Sequence, residues 1–427
     1  MKPLDCQKDL SRYAKRGQVE RGIIEKVILH FYVATGEMYY RITPLNPIIS
    51  RDARPFGAGS RVRSLEWITQ TSTAGAIRSE IWRNMPSPDS DAVLSVKVMG
   101  AFPIYDGKIY FPRPLDAIAD KTNVYQISPC KELPEGCYAQ MPLKGLMPSF
   151  PDTQNDFKPE KINPWWRKNL MSRWLKHGNS NFTAWLIKNG NCPGGEWLSV
   201  LAGNSNPNAL TLEAPAKDER THVSIDPATG TAKEGMLFST TGLDFTRRIS
   251  RLERGTLSVK IDMPDELAQY LPEKFIAPLG GERRLAEFMR CDSDSSLWEC
   301  PQGLAMGELI RVVLATPAIF AQGWLPGWID AESLEGTIPG AGVRVKLISA
   351  VTGRWQAVSG WNYDSKNYGP KPVRRAVPAG SVYFFELIDG DFDAGNMWLK
   401  SVCDDVRDIH DGFGLGLWGN YEMRGTI

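Results

Sequence analysis

The sequence is poor in the residues from which metal centres and acid–base sites are built. It has only four histidines, and its seven cysteines are scattered without a Cys-x-x-Cys pair. This pattern favours neither a zinc site nor a disulfide framework, so we expect reduced thiols, no metal and no cofactor. No uncharged apolar run reaches the roughly 18 residues of a membrane-spanning helix. The charged residues 1–21 lack the apolar core of a secretory signal, so we expect a cytoplasmic protein without a membrane partner.

Net charge is also nearly absent, since 50 Lys and Arg balance 49 Asp and Glu. This excludes a protein that coats nucleic acid by bulk charge, although a local basic track remains open. The charges do segregate: residues 158–190 carry a net charge of +6, from seven cations and one acid, and residues 386–411 carry −6, from eight acids and two cations. The acidic stretch predicts a solvated surface or a protein-docking surface.

Four tryptophans interleave with the cations of the basic stretch. They are Trp165, Trp166, Trp174 and Trp185. Bases can stack on aromatic rings while Lys and Arg neutralise phosphates, so one interpretation is a surface that faces nucleic acid. The alternative is an ordinary solvated helix face.

Glycine and proline are abundant, with 39 and 30 residues, which favours a mixed fold with many turns over a helical bundle. In the C-terminal third, apolar alternation predicts strands at 308–320, 343–350, 381–388 and 415–423, and a helix whose apolar stripe runs from Trp398 to Ile409. This order is that of a ferredoxin-like, RRM-like βαββαβ unit.

The first part of the chain has the pattern of a second such unit. A strand at 38–45 precedes a helix with Ala74, Ile77, Ile81 and Trp82 on one face, capped by Ser72 or Thr73. We therefore predict an α+β protein with an extension at 1–37, a ferredoxin-like domain at 38–290 and a second one at 291–427. A long irregular insertion, about residues 113–215, interrupts the first domain.

Arginine clusters supply the candidate contacts with phosphate. Arg51 and Arg54 lie in the loop after the first strand, where their guanidinium groups suit bidentate recognition of phosphate, or where Arg51 pairs with Asp52. Arg78 lies on the following helix. Arg247 and Arg248 precede a later strand, where they line a basic track or are simply solvated.

A glycine-rich run near the C-terminus contains Gly412, Gly414, Gly416 and Gly419. The last three match the dinucleotide pattern G-x-G-x-x-G, but only eight residues follow, too few for the helix and strand that a Rossmann site needs. The run serves phosphate contact, a packing turn, or both. His410, just before it, is the one candidate general base of a ribonuclease, or a structural residue.

A series of motifs in a fixed order covers nearly the whole chain after residue 38. In chain order they are Arg51–Phe56 (RDARPF), Ser72–Arg78, Asp106-Gly107 with Tyr110–Pro112, Ala232–Phe238, Leu279–Arg284 (LGGERR), Thr316–Ala318 with Gly323–Pro326, Ser359–Trp361 with Val377–Val382, and Gly412–Gly419. Together they resemble the family of the third subunit of the Cmr complex, the type III-B CRISPR effector. That family is a Cas-five-like group of the RAMP superfamily.

The resemblance implies two ferredoxin-like domains and a non-catalytic RNA-binding subunit. Such a subunit holds the 5′ handle of the CRISPR RNA (crRNA) and contacts the large polymerase-like subunit and the first backbone RAMP subunit. Carried over by motif, the RNA-binding residues are Arg51, Arg54, Arg78, Gly280, Gly281, Arg283, Arg284, Gly412, Gly414, Gly416 and Gly419, to which charge adds Arg247 and Arg248.

Two departures from the family limit this transfer. Residues 1–37 precede the usual start, and the insertion is long and rich in tryptophan, so its contacts cannot be carried over. Three alternatives stay open: a RAMP endoribonuclease that processes precursor crRNA with His410 as its base, the equivalent Cas-five-like subunit of another type III subtype, and a protein–protein adaptor without RNA contact.

Overall fold

The computed structural model describes residues 35–423 apart from 54–60, 63, 134, 154–155, 191–196, 203–209, 246–254 and 363–367. Residues 1–34 of the predicted extension therefore lie outside the described residues. Residues 35–37 already belong to the first strand, Thr35–Pro44.

An antiparallel sheet of eight strands forms the N-terminal part. In spatial order the strands are Lys274–Pro278, Leu285–Arg290, Thr35–Pro44, Thr256–Pro264, Lys97–Tyr105, Lys108–Pro112, Trp165–Arg167 and Thr211–Leu212. The strand Thr256–Pro264 follows from its alternation, because Leu257, Val259, Ile261 and Met263 are all buried. Four neighbouring strands of this sheet are 285–290, 35–44, 256–264 and 97–105. When these four are numbered by their order along the chain, they lie side by side as fourth, first, third and second.

The helix Gln70–Asn84 covers one face of this sheet through the predicted residues Ala74, Ile77 and Ile81. Trp82 is 43% exposed, so its predicted place on the apolar face is wrong. It follows Ile81 directly and therefore points about 100° away around the helix. The helix also begins before the predicted caps, with Thr69 at its N-cap.

A second antiparallel sheet, of five strands, forms the C-terminal part. In spatial order its strands are Glu335–Thr337, Arg344–Val351, Val382–Asp389, Leu309–Leu314 and Gly416–Asn420. The four longer strands repeat the order fourth, first, third, second. The connection from Leu314 to Arg344, all of it described, contains turns and one short strand but no helix.

The predicted helix with a stripe from Trp398 to Ile409 is wrong. Two short helices, Ala394–Met397 and Val406–Asp411, stand in its place. Between them the Leu399 N–H donates to the Gly416 carbonyl at 2.9 Å, and the Val402 N–H donates to the Gly414 carbonyl at 2.9 Å. Pairing with the glycine-rich run therefore replaces the helical hydrogen bonds of this segment.

The predicted irregular insertion contains regular elements. They are the strands Ala117–Ala119, Val124–Pro129, Ser149–Pro151, Trp165–Arg167 and Thr211–Leu212, and the helices Lys168–His177, Phe182–Asn189 and Trp197–Ala202. Trp165, Trp166 and Trp174 are buried in a core that this insertion shares with both sheets. The interpretation of these three rings as stacking sites for bases is therefore wrong, because their faces pack against protein.

The remaining elements are small or peripheral. The hairpin Ala216–Ile225 with Ala232–Asp244 carries Arg61–Val62 as a parallel third strand. Two further strand pairs join Gln356–Val358 to Arg374–Ala376 and Trp361–Asn362 to Gly369–Pro370. The short helices are Ser90–Ser95, Asp265–Ala268, Ser295–Trp298 and the 3-10 turn Asp292–Asp294.

A buried ion pair ties the insertion to the C-terminal sheet. Arg311, on the strand Leu309–Leu314, bonds Asp116 of the insertion, and both side chains are 0% exposed. The Trp174 indole donates to the Asp116 carboxylate at 2.9 Å, and the Arg311 Nη2 donates to the Trp174 carbonyl at 2.6 Å. The helix Lys168–His177 is thereby held against the second sheet.

Gly419 permits a close approach between the helix Lys168–His177 and the final strand. A Cβ atom at this position would lie 2.6 Å from the carbonyl oxygen of Leu175, a backbone atom of the helix. We expect Gly419→Ala to lower the free energy of unfolding by about 1–3 kcal/mol, measured by urea denaturation, because a well-packed contact resists added volume.

Gly75→Ala is the matched control for this prediction. Gly75 lies within the helix Gln70–Asn84, and nothing lies within 4 Å of an added Cβ. Alanine should therefore raise stability there by about 1 kcal/mol. Equal effects of the two substitutions would contradict the packing role of Gly419.

Candidate nucleic-acid interface

Two of the predicted arginine motifs meet at one edge of the N-terminal sheet. The segment that leads to Arg51 forms a bridge with the LGGERR turn, in which the Gly281 N–H donates to the Ile49 carbonyl at 2.7 Å. On its other side the same segment pairs with the base of the hairpin through Ile48 and Leu243. Arg51 is exposed, and its Cδ would lie 3.5 Å from a Cβ on Gly281. Residues about 230 positions apart thus form one surface, which we call the Arg51 surface (Arg51, Gly280, Gly281, Arg283 and Arg284).

The backbone of the turn is constrained. Gly280 has a φ of +79°, and a Cβ there would lie 2.6 Å from the Ile49 carbonyl oxygen, so only glycine fits. Glu282 and Arg283 follow with φ values of +56° and +50°. The Leu279 N–H closes the turn on the Arg284 carbonyl at 2.7 Å. Glu282 and Arg283 are both exposed.

Arg284 is half-buried, and its Nε atom has no hydrogen-bond partner among the described residues. A buried guanidinium N–H without a partner is costly, so an acceptor from outside the described part of the chain would stabilise it. A phosphate oxygen is one such acceptor.

Three of the predicted residues cannot be placed. Arg54, Arg247 and Arg248 lie outside the described residues, so their roles stay predictions.

Arg78 lies away from the Arg51 surface and is engaged inside the protein. Its guanidinium bonds the Asp411 carboxylate and donates to the carbonyls of Val96 at 2.7 Å and His410 at 3.0 Å. Both partners of the ion pair are only 11% exposed. Arg78 therefore joins the helix Gln70–Asn84 to the C-terminal part, and its contact with RNA stays a prediction.

The glycine-rich run is buried from Gly412 to Gly419, and the structure gives it the packing role that the sequence left open. A Cβ on Gly412 would collide with the Val98 carbonyl oxygen, and one on Gly416 would lie 2.8 Å from Val312. Gly414, with a φ of +69°, fits against Cys403. The protein's own atoms occupy the space beside these glycines, and phosphate contact by the run stays a prediction.

Several carboxylates of the acidic stretch 386–411 form contacts within the protein. Asp408 forms a bidentate pair with Arg374, at 2.7 Å for each bond, and burial raises its pKa above the usual range. Asp404 accepts from the Ala321 and Gly327 N–H groups. The acids of the stretch that cap or pair internally are Asp393, Asp404, Asp405, Asp408 and Asp411. Glu386, Asp389 and Asp391 of the stretch are exposed.

His410 is half-buried where the helix Val406–Asp411 meets the N-terminal part. Its Nδ1 lies 3.1 Å from the Leu94 carbonyl, so Nδ1 carries the proton and only Nε2 is available as a base. Burial lowers the pKa of His410, an effect that the Leu94 carbonyl opposes. Among the described residues, no three His, Cys, Asp or Glu side chains are grouped so that they could hold a metal ion.

The comparisons with known proteins identify the family. The family model for CRISPR-associated protein (Cas_Cmr3) matches residues 40–421. The chain belongs to the Cas_Cmr3 family. This membership makes it a CRISPR-associated protein and supports its assignment to a type III CRISPR effector. The comparison with curated proteins gives no match. No helix within the described parts of the chain is both long and apolar enough to cross a membrane.

Solved structures from type III complexes are similar at low identity. A chain of the type III-B Cmr-beta complex bound to cognate target RNA and AMPPnP is 17% identical, with a TM-score of 0.44 over 81% of this chain and 86% of that chain. A chain of the Csm3-Csm4 subcomplex of the type III-A interference complex is 11% identical, with a TM-score of 0.31 over 83% and 96%.

Sequence reasoning for this Cas_Cmr3 member named the residues of the Arg51 surface but missed their contact. No periodicity or spacing signals a bridge between residue 49 and residue 281. The available signal was shared composition, because both motifs combine arginine with residues that bend the backbone.

The environment of His410 predicts a pH dependence of stability. Because its pKa is lower in the folded state than its usual value of 6.5, protonation favours the unfolded state. Stability should therefore fall as the pH decreases through 6.5, and His410→Gln should weaken this dependence, measured by urea unfolding between pH 7 and 5. An identical dependence in the two proteins, or an imidazole titration midpoint above 6.5 by NMR, would contradict this account.

Proposed function

We propose that this protein is the non-catalytic RNA-binding subunit of a type III-B CRISPR effector, which holds the 5′ handle of the crRNA at the Arg51 surface. The observation that carries the proposal is the bridge between Ile49 and Gly281, which brings Arg51 of the RDARPF motif beside the distant LGGERR turn. Handle RNA is single-stranded, so both its phosphates and its base edges are accessible to side chains and backbone groups.

The physical chemistry of the Arg51 surface suits this role. The bridge between Ile49 and Gly281 and the left-handed turn hold the arginines on paired backbone, which reduces the entropy lost on binding. Arg51 and Arg283 are exposed, and the Nε of Arg284 has no hydrogen-bond partner within the described part of the chain. Guanidinium groups in a fixed arrangement recognise phosphate through paired hydrogen bonds.

The strand order supports a fold with two ferredoxin-like units in this proposal. Both sheets contain four antiparallel strands in the order fourth, first, third, second, and a helix follows the first strand of the N-terminal unit. In the C-terminal unit turns replace that helix.

Docking of the large polymerase-like subunit and the first backbone RAMP subunit also belongs to this proposal. The exposed acids Glu386, Asp389 and Asp391 supply a candidate docking surface of negative charge. Charge complementarity of this kind guides association and selects among partners.

Loss of the exposed arginines should weaken handle binding. We expect Arg51→Ala and Arg283→Ala each to lower affinity for handle RNA about tenfold. Each should also reduce the slope of log K against log salt concentration by about 1. Arg54→Ala should behave in the same way, and fluorescence anisotropy of labelled handle RNA over a salt series measures all three.

Lys108→Ala is the control for this experiment. Lys108 is exposed on the strand Lys108–Pro112, four strands across the sheet from Leu285–Arg290, and its loss removes the same charge. Unchanged affinity and slope in the arginine variants, or an equal loss in Lys108→Ala, would refute the Arg51 surface as the handle site.

The nuclease alternative makes the opposite prediction about cleavage. Under our proposal purified protein leaves repeat RNA intact, because the His410 Nδ1 is bound to a carbonyl and the neighbouring Asp411 is paired with Arg78. Specific cleavage of repeat RNA that disappears in His410→Ala, followed on denaturing gels, would establish the endoribonuclease instead.

A further inference from the structure

An exposed surface rich in aromatic residues lies in the C-terminal part, on the segments 354–362 and 368–376. Its members, which we call the Trp355 surface, are Trp355, Trp361, Tyr368, Lys371 and Arg375. Trp355 and Trp361 are each 47% exposed and Tyr368 is 67% exposed. Of the five exposed Trp and Tyr side chains in the described chain, three lie within this short stretch. Such clustering on a surface is characteristic of a binding site.

Trp361 lies on paired backbone, and Trp355 and Tyr368 each directly precede a paired strand. The strand Gln356–Val358 pairs with Arg374–Ala376, and Trp361–Asn362 pairs with Gly369–Pro370. The Lys371 N–H donates to the Gly360 carbonyl at 2.8 Å, and the Ser359 hydroxyl donates to the Lys371 carbonyl at 2.6 Å. These hydrogen bonds order the Trp355 surface before any ligand binds.

The aromatic rings make two separate contacts, one between Trp355 and a cation and one between Trp361 and Tyr368. The Arg375 guanidinium lies 5.0 Å from the centre of the Trp355 ring, in cation–π contact. Trp361 and Tyr368 meet edge to face, with centroids 5.7 Å apart. Even with these contacts Trp355 and Trp361 each remain 47% exposed, which leaves aromatic surface on which a planar group can stack.

The charged side chains described on this surface are all cations. The described residues of 352–376 include Arg354, Lys371, Arg374 and Arg375 but no acid. Arg374 is paired with Asp408, whereas Arg354, Lys371 and Arg375 are exposed. Cations between exposed rings attract a polyanion that carries planar groups, which describes single-stranded nucleic acid better than a protein partner.

We propose that the Trp355 surface binds single-stranded nucleic acid, with bases stacked on Trp355 and Trp361 and phosphates held by Lys371 and Arg375. Stacking of this kind tolerates any base, because every base has a π-face. The inference is independent of the handle proposal, since it concerns different residues, on and beside the two small strand pairs of the C-terminal part.

The test uses the full chain with Arg51→Ala and Arg283→Ala already introduced, so that the Arg51 surface does not hide the result. Affinities for labelled ten-residue oligouridine and oligothymidine are measured by fluorescence anisotropy. We expect Trp355→Ala with Trp361→Ala to weaken binding at least about tenfold, because two stacking contacts are lost. Comparison of the two oligonucleotides shows whether RNA or DNA is the preferred source.

Two controls separate stacking from a general effect of mutation. Trp355→Phe with Trp361→Phe keeps the aromatic faces and should retain most of the affinity. Trp82→Ala removes a similarly exposed tryptophan, at 43%, from the helix Gln70–Asn84 and should leave affinity unchanged. The proposal is overturned if the parent protein binds neither oligonucleotide, if the alanine pair binds as well as the parent, or if Trp82→Ala loses as much.

Discussion

The ion pair between Arg311 and Asp116 is the contact on which the arrangement of the two sheets depends. Both groups are fully buried, and the Asp116 carboxylate also accepts from Trp174 at 2.9 Å and Gln126 at 3.2 Å. Burial lowers the pKa of Arg311, and the Asp116 carboxylate opposes this shift. A buried charge that loses its partner costs about 3–5 kcal/mol, so each group needs the other to remain in the core. The pair therefore fixes the insertion to the strand Leu309–Leu314 of the C-terminal sheet. Through Trp174 it also fixes the helix Lys168–His177, which packs against the final strand.

From this contact the architecture divides the charged residues into two groups. Arg78, Arg311 and Arg374 pair with Asp411, Asp116 and Asp408 and hold the parts of the chain together. Arg51 and Arg283 of the Arg51 surface and Lys371 and Arg375 of the Trp355 surface are exposed. The net charge of +1 includes both groups and is therefore uninformative about binding. Position relative to the core, rather than the sum, distinguishes a cation that supports the fold from one that is available to a polyanion.

Local patterns predicted the local elements of this fold well. The Asp106-Gly107 dipeptide, typical of a tight turn, has left-handed backbone at both residues, and the strand at 256–264 buries the apolar residues that alternate along it. Failures occurred where distant residues decide the outcome. The segment after Trp398 has a helical stripe, yet its backbone bonds the glycine-rich run. Trp165, Trp166 and Trp174 of the insertion lie among cations in sequence, yet they pack into a core shared by both sheets. Arg311 interrupts an apolar run, and its partner lies 195 residues earlier. For the site, motif order supplied the residues of the Arg51 surface, but their meeting depends on pairing between distant segments that no local pattern encodes.

The account is tested most directly by a crosslinking map of handle RNA on the assembled effector complex. A photoreactive nucleotide is placed at successive handle positions, and the crosslinked peptides are identified by mass spectrometry. We expect crosslinks in the peptides that contain residues 48–54 and 279–284 of this chain. Handle crosslinks confined to other parts of the chain, or to other subunits, would contradict the claim that the Arg51 surface holds the handle.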